Sequence, residues 1–223
     1  MSKELPFIIA SFPRSGSHWL RFIFEVVTRS KTIGEFKDNP ADISVHERMG
    51  LGGLQPTCVC MRLHNLEPQL QHNSIIKLIL ILRHYNEPLT RMQRVKTDKD
   101  IAEWYMRLLK HFDEWQAPKM IVHYELLMLG EPEYIKNIIS FGCPNVNPHY
   151  VTNFINQYNS YYARCLAYYR KDFKPHGKNA NKGTRESWDS AVRHGTECDW
   201  QALLKQTDIN LFNKYLTQYG NAI

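Results

Sequence analysis

The first thirty residues constrain the fold more than any other part of the chain. Pro6–Ser11 is a short, continuous apolar run, which predicts a fully buried strand. Pro13 and Gly16 end this run, and Ser17–Arg29 follows with the periodicity of an amphipathic helix. Its predicted apolar face consists of Trp19, Phe22, Ile23, Val26 and Val27, with Arg21 and Glu25 on the opposite face. The chain therefore opens with a strand, a tight loop and a helix.

The rest of the chain continues the alternation of strands and helices. Further strands are predicted over Thr57–Leu63, Ile75–Leu82 and Lys119–Tyr124. Helices are predicted over Thr97–Trp115, with Thr97 or Asp98 as N-cap, and over Glu133–Phe141, Asn147–Tyr169 and Trp200–Tyr219. This order implies an α/β fold, a three-layer sandwich whose central sheet is mostly parallel and covered on both faces. Ligands of such sheets bind at the carboxyl ends of the strands, just after residues 11, 63, 83 and 124.

Two segments have no clear periodicity. Lys31–Pro56 is rich in Gly, Asp, Asn and Pro and is predicted to be irregular, and Asp172–Thr184 is predicted to be a basic loop. Together with the region 143–180, the irregular segment is expected to shape a substrate pocket. Neither repeats nor an interdomain linker are visible, so residues 1–223 are predicted to form a single domain.

The composition indicates which partners and which compartment suit the chain. Lys and Arg number 28 against 22 Asp and Glu, a net charge of +6, which suits an anionic partner but equally serves solubility. Five cysteines without CxxC spacing favour neither a disulfide framework nor a zinc site, so a reducing compartment fits best. Neither a signal peptide nor a membrane span is recognisable. We expect a cytoplasmic protein without a membrane partner.

The loop after the first strand has the features of an anion-binding site. The backbone amides of Ser15, Gly16 and Ser17 lead into a helix N-terminus, and Arg14 adds a full positive charge. The GxxxxGK[ST] pattern of nucleoside-triphosphate loops is absent, which disfavours an ATPase or GTPase. The alternative is a simple strand-to-helix turn with Ser15 or Ser17 as N-cap.

Residues 12–19, Phe-Pro-Arg-Ser-Gly-Ser-His-Trp, resemble a known loop. The loop that they resemble is the 5′-phosphosulfate loop of the sulfotransferases that use 3′-phosphoadenosine 5′-phosphosulfate (PAPS). Its usual sequence is Tyr-Pro-Lys-Ser-Gly-Thr-Thr-Trp. Arg14 and Ser17 are mild changes from this pattern, whereas His18 departs from it. The resemblance implies that residues 14–19 bind the donor and that Trp19 stacks on its adenine. The alternative for Trp19 is a position in the helix core.

The end of the second strand matches the family's Lys-Thr-His segment, whose His is the catalytic base. Here the residues are Arg62-Leu63-His64. Histidine is also the side chain best suited to take up a proton at neutral pH. The resemblance assigns His64 as the base and Arg62 as a cation beside it; the alternative is a His64 that only ends a strand.

Two later strand ends match the family's nucleotide contacts. Arg83 corresponds to the Arg that binds the 3′-phosphate, and Thr90 or Arg91 stands near the position of the family's second phosphate ligand, a Ser. Tyr124 in His-Tyr-Glu-Leu resembles the Tyr that lies near the adenine. A surface arginine and a core tyrosine are the alternatives for Arg83 and Tyr124.

A last match lies at Asn-Lys-Gly-Thr-Arg-Glu-Ser-Trp, residues 181–188. It is similar to the family's Arg-Lys-Gly-x-x-Gly-x-Trp loop over the 3′-phosphate, with Lys182 and Gly183 in register. Asn181 replaces the leading Arg, and Arg185 is a candidate for the missing charge. On its own the stretch is also compatible with a solvated basic loop.

Together the resemblance implies a PAPS-dependent sulfotransferase with a P-loop-like fold. It would move a sulfuryl group from PAPS to a hydroxyl or amine of a small-molecule or glycan acceptor and release adenosine 3′,5′-bisphosphate (PAP). Arg14 and Arg62 would neutralise charge on the leaving phosphate, without a metal and without nucleic acid as a partner. The alternatives are a P-loop-type kinase, a non-catalytic nucleotide-binding or nucleic-acid-binding module, and an inactive sulfotransferase relative.

Overall fold

The structure is a computed structural model that describes residues 7–13, 15–35, 44–83, 98–172, 208–211 and 213–215. Its strands are β1 (Phe7–Ser11), β2 (Ser30–Ile33), β3 (Gln55–Leu63), β4 (Leu78–Leu82) and β5 (Lys119–His123). Its helices are α1 (Ser17–Thr28), α2 (Val45–Arg48), α3 (Asp98–Glu114), α4 (Tyr124–Leu129), α5 (Pro132–Gly142), α6 (Pro148–Asn156) and α7 (Tyr158–Asp172). A 3₁₀ helix spans Glu67–His72, and residues 208–211 and 213–215 are helical.

The five strands form one parallel sheet in the order β2-β3-β1-β4-β5. Ala10 pairs with Leu63, and Ser11 pairs with Ile81. Leu82 pairs with His123 at the end of β5. The carboxyl ends of β1, β3, β4 and β5 therefore lie along one edge of the sheet, as the strand pattern predicts.

Apolar side chains cover both faces of this sheet. In β1, Phe7 and Ile9 pack on one face against α1, α5 and α6, while Ile8 and Ala10 pack on the other against α3. Strand β4 alternates in the same way and is buried along its whole length. Fully buried parallel strands are continuous apolar runs for this reason. The prediction of a three-layer α/β sandwich with a parallel sheet is confirmed.

Several predicted boundaries are wrong. The irregular segment Lys31–Pro56 contains the end of β2 and the short helix α2, and β4 begins three residues later than predicted because residues 73–75 form a turn. The helix predicted over Asn147–Tyr169 is two helices that meet at Gln157. The predicted strand Lys119–Tyr124 ends at His123, because Tyr124 is the first residue of α4.

Helix α1 is buried on all sides, including the face predicted to be polar. Arg21 donates from Nε to the Thr32 hydroxyl at 2.8 Å, and Thr32 donates to the Glu25 carboxylate. Glu25 also accepts from the backbone amides of Val45 at 3.2 Å and His46 at 2.7 Å. Burial raises the pKa of Glu25, although these hydrogen bonds oppose the shift. The network ties β2 and α2 to the centre of the molecule.

Two negative findings apply to the described residues. None of their helices is long and apolar enough to cross a membrane. No group of three or more His, Cys, Asp or Glu side chains among them is arranged to hold a metal ion. A single domain over residues 1–223 stays a prediction, because that range includes segments outside the described ones.

Candidate functional site

The loop between β1 and α1 begins the site at the carboxyl edge of the sheet. The Ser15 amide donates to the Phe12 carbonyl at 3.2 Å, and Gly16 has φ = +87°, a left-handed conformation that suits glycine. Gly16 is the N-cap of α1, and no side chain of the described residues caps this end. The predicted alternative, capping by Ser15 or Ser17, is therefore wrong. The N-terminus of α1 presents its dipole to the loop.

Ser15 is the most unusual side chain of this loop. It is 1% exposed, and its Oγ has no hydrogen-bond partner among the described residues. A buried hydroxyl without a partner costs free energy, so its place is best explained by a ligand or a water. Ser17, in the first turn of α1, is also buried, and His18 is half-buried.

Gly16, Tyr124 and Arg83 form a stack of three residues from three strand ends. A Cβ on Gly16 would lie 2.4 Å from Cδ2 of Tyr124, so the aromatic ring packs directly on the glycine. The Arg83 guanidinium carbon lies 4.4 Å from the centre of the same ring, a cation–π contact. The structure thus brings together a glycine, an aromatic ring and a cation that are far apart in the sequence.

His64 and Arg62 occupy the end of β3, next to the end of β1. His64 Nδ1 lies 2.6 Å from the Ser11 carbonyl oxygen, and its Nε2 contacts Nη1 of Arg62. A carbonyl oxygen only accepts hydrogen bonds, so Nδ1 carries the proton in this arrangement. Nε2 then holds a lone pair and accepts from the guanidinium. Arg62 is 6% exposed, so this charge is almost fully buried beside the imidazole.

The backbone of His64 is fixed on both sides by residues that the sequence did not single out for the site. Its amide donates to Glu35 Oε2 at 3.0 Å, and its carbonyl accepts from Trp104 Nε1 at 3.1 Å. Trp104 packs on Phe12 with ring centroids 5.1 Å apart. Trp104 stands at helical spacing from Ile101, Tyr105 and Leu108, which is typical of a packed apolar stripe, and no periodicity distinguishes Glu35.

A cleft of about 360 Å³ opens beside His64. The described residues that line it are Glu35, His64, Asn65, Asp100, Glu103, Trp104 and Arg107. Glu35 comes from the segment 31–56, and α3 supplies Asp100, Glu103, Trp104 and Arg107. Which segments shape the substrate pocket stays a prediction. A larger cavity of about 430 Å³ lies at the opposite end of the sheet, beside Phe7, Cys58 and Cys143.

Trp19 lies in the helix core, the alternative given for it. It is 5% exposed and donates from Nε1 to the Tyr158 hydroxyl at 2.9 Å. The rings of Tyr158 and Tyr162 pack edge-on against it. The adenine-stacking role of Trp19 stays a prediction. An adenine could stack on the indole only if the rings of Tyr158 and Tyr162 moved away from it.

Five predicted site residues lie outside the described part of the chain: Arg14, Thr90, Arg91, Lys182 and Gly183. Their roles stay predictions. The described predicted residues Ser15, Gly16, Arg62, His64 and Arg83 lie at the carboxyl edge, where Tyr124 joins them.

The comparisons with known proteins concern the fold. No protein-family model and no curated protein matches the sequence. Among solved structures, a mouse sulfotransferase, SULT7A1, complexed with PAP, is 15% identical, with a TM-score of 0.51 over 100% of this chain and 90% of that one. Two structures of retinol dehydratase, one with androsterone and PAP and one with retinol and PAP, are 12% and 13% identical, with TM-scores of 0.43 and 0.41. These two matches span 96% of this chain and 80% of each retinol dehydratase chain. The match to the mouse enzyme shows that the chain has the α/β fold of that sulfotransferase.

Proposed function

We propose that this chain, which has the sulfotransferase fold, transfers a sulfuryl group from PAPS to a hydroxyl or amine of a small acceptor. The observation that carries the proposal is the convergence of three groups on one sheet edge. These are the glycine loop with its buried Ser15 hydroxyl, the Arg83–Tyr124 stack, and the Arg62–His64 pair. An anion-binding loop beside an imidazole with a lone pair suits transfer from an anionic donor.

The residues present fit a phosphorylated nucleotide. The N-terminus of α1 and the Ser15 hydroxyl offer hydrogen-bond donors, and Arg62 and Arg83 offer positive charge. Tyr124 offers an aromatic ring beside Arg83. When bound, PAPS would supply the sulfuryl group and leave as PAP.

His64 is the proposed general base. With Nδ1–H held by the Ser11 carbonyl, the lone pair on Nε2 is available to take the proton of an acceptor hydroxyl. Arg62 contacts that nitrogen, so the guanidinium must move aside before a hydroxyl can approach it. The displaced charge would remain next to the reacting groups.

Electrostatic stabilisation is assigned to the loop and its cations. Arg62, the amides of Gly16 and Ser17 and, from the sequence, Arg14 are proposed to neutralise negative charge that grows on the leaving phosphate. The Ser15 amide, which the sequence also offered, donates to the Phe12 carbonyl instead. Donors that are already in place when the charge develops contribute more to catalysis than donors that must reorganise. The Ser11 and Phe12 carbonyls help to hold this geometry through His64 and Ser15.

Calorimetric titration with PAP tests the donor site, with AMP and with ATP plus Mg²⁺ as controls. We expect metal-independent binding of PAP that is weakened when the 3′-phosphate is absent. Arg83→Ala should weaken PAP far more than AMP, because Arg83 is assigned to the 3′-phosphate. Preference for ATP with Mg²⁺ would contradict the proposal and favour a kinase.

His64→Ala tests the base. Loss of a general base lowers turnover by about 10²–10⁴-fold, and PAP affinity should change little. His149→Ala is a matched control because His149 is exposed on α6 and lines neither the loop nor the cleft. A His64→Ala variant that loses PAP binding, or keeps full turnover, would remove His64 from this role.

A further inference from the structure

We propose that the cleft beside His64 binds the acceptor and selects one that carries a positively charged group, such as a hydroxylated amine. The inference rests on the proposed function, since it takes His64 as the base, and it adds the chemical class of the acceptor. The cleft has a volume of about 360 Å³, which is sufficient for a small ligand. His64 is part of its wall, so a molecule in the cleft lies next to the imidazole.

The charges of the cleft oppose those of the whole chain. Among the described lining residues, Glu35, Asp100 and Glu103 are acidic, and Arg107 is the basic counterpart. The chain as a whole has a net charge of +6, so an acidic cleft is a local reversal. Carboxylates gathered in a confined cleft attract a cationic ligand and repel an anionic one.

An aromatic ring adds a second feature that suits a cation. Trp104 lines the cleft among the carboxylates, and tryptophan is the best aromatic partner of an ammonium group. Its Nε1–H bond to the His64 carbonyl fixes the indole beside the proposed base. A charged amine held here keeps its hydroxyl within the same small cleft as His64.

The cleft wall is held in place by the packing of α3. Asp100, Glu103, Trp104 and Arg107 follow helical spacing and share one face of the helix. The neighbouring face is buried against the sheet through Ile101, Tyr105, Leu108, Leu109 and Phe112. This packing holds the backbone of Asp100 and Glu103 in place relative to the sheet.

The proposed reaction leaves the ammonium group unchanged. The acceptor hydroxyl gives its proton to His64 Nε2, and its oxygen forms the new bond to sulfur. The bond between sulfur and the phosphate oxygen of PAPS breaks, and that electron pair leaves with PAP. The ammonium group serves recognition alone, through the carboxylates and Trp104.

Three phenols of similar size test the selectivity: tyramine, 4-propylphenol and 3-(4-hydroxyphenyl)propanoate. We expect kcat/KM to fall from the cation to the neutral compound and then to the anion. The ratio of cation to anion should be about tenfold or more at low ionic strength and should shrink as salt is added. Equal kcat/KM values, or preference for the anion, would overturn the inference.

Charge-neutral variants locate the effect. Asp100→Asn and Glu103→Gln should each lower kcat/KM for tyramine by about two- to fivefold, since exposed charge pairs contribute modestly. Their effect on kcat/KM for 4-propylphenol should be smaller, because that phenol carries no charge. Glu114→Gln is the matched control, because Glu114 is exposed on the same helix and does not line the cleft. Equal losses for both phenols would indicate a structural effect and refute the assignment.

Binding to the cleft is measured separately from catalysis. The indole N–H signal of Trp104, identified by its absence in Trp104→Phe, is followed by ¹⁵N NMR during titration with tyramine. A shift that reaches its half-maximum at a lower concentration of tyramine than of 4-propylphenol supports the cleft assignment. Equal half-maximal concentrations, or no shift with tyramine, overturn it, whatever the titration with PAP shows. PAP binding without cation preference would refute only this inference, whereas failure to bind PAP would refute the proposed function.

Discussion

Replacement of Gly16 by alanine tests the central packing of the site. Gly16 has φ = +87°, and a Cβ there would lie 2.4 and 2.5 Å from two atoms of the Tyr124 ring. Ordinary van der Waals contacts begin at 3.4 Å, so the ring must move by about 1 Å. Because Arg83 lies over the same ring, its position changes as well.

The expected loss of stability has two sources. Alanine in the left-handed region costs about 1–2 kcal/mol, and displacement of Tyr124 from Arg83 costs about 0.5–1 kcal/mol through the cation–π contact. We expect Gly16→Ala to lower the free energy of unfolding by about 1.5–3 kcal/mol. For a chain of this size, that corresponds to a fall in Tm of about 3–12 °C. PAP affinity should fall at the same time.

Two other glycines separate the sources. Gly50 has φ = +70° with no heavy atom of the described residues within 4 Å of its Cβ position, so Gly50→Ala reports the backbone cost alone. Gly52 has the same open space without a positive φ, and Gly52→Ala should leave stability unchanged or raise it by up to about 1 kcal/mol. Urea unfolding and scanning calorimetry give the three values.

A double variant completes the comparison. In a Tyr124→Ala background, Gly16→Ala should cost only as much as Gly50→Ala does in the wild type, because the ring is gone. Two results would refute the reasoning: a Gly16→Ala variant no less stable than Gly50→Ala, or an undiminished cost in the Tyr124→Ala background.

Two further predictions concern buried and surface charges. Glu25→Ala should lower the free energy of unfolding in urea by about 3 kcal/mol, because it leaves the buried Arg21 without its acidic neighbour; a loss below about 1 kcal/mol would contradict this. Hydrogen bonds from Lys214 and Tyr215 lower the pKa of Asp113 from its ordinary value. Their stabilisation is therefore fully present above the ordinary pKa of an aspartate and is lost as pH falls through the lowered folded-state pKa. Lys214→Met should therefore flatten the acid limb of stability against pH, and a curve parallel to the wild type would refute this.

The sequence predicted the centre of the sheet because β1 and β4 are buried on both faces and are continuous apolar runs. It did not predict β2. That strand has four residues, of which Thr32 alone is buried, and its register with β3 is irregular. Its place depends on pairing with β3 and on the hydrogen bond from Arg21 to Thr32, tertiary contacts that no local pattern shows.

The site was predicted in part for a similar reason. Arg62 is the next-to-last residue of β3, and His64 and Arg83 directly follow β3 and β4, so the topology brings them to one edge. The roles of Glu35 and Trp104 could not be predicted, because both hold backbone atoms of His64 and a backbone partner leaves no mark in the sequence.

Glu25 and Arg21 show the opposite error. Their charge and spacing predict a polar helix face, but β2 and α2 cover that face and enclose the charges. Charge alone does not reveal that a second layer of structure will cover it.

The position of β2 at the edge of the sheet affects how firmly the site is held. Edge strands open more often than central ones, because they are paired on one side only. Glu35 lies two residues beyond β2, and it carries one of the two hydrogen bonds that fix the backbone of His64. Local opening of β2 would therefore loosen His64 while the central strands remain folded. The hydrogen bond from Arg21 to Thr32, although remote from the chemistry, thus helps to hold β2, and with it the Glu35 contact to the backbone of His64.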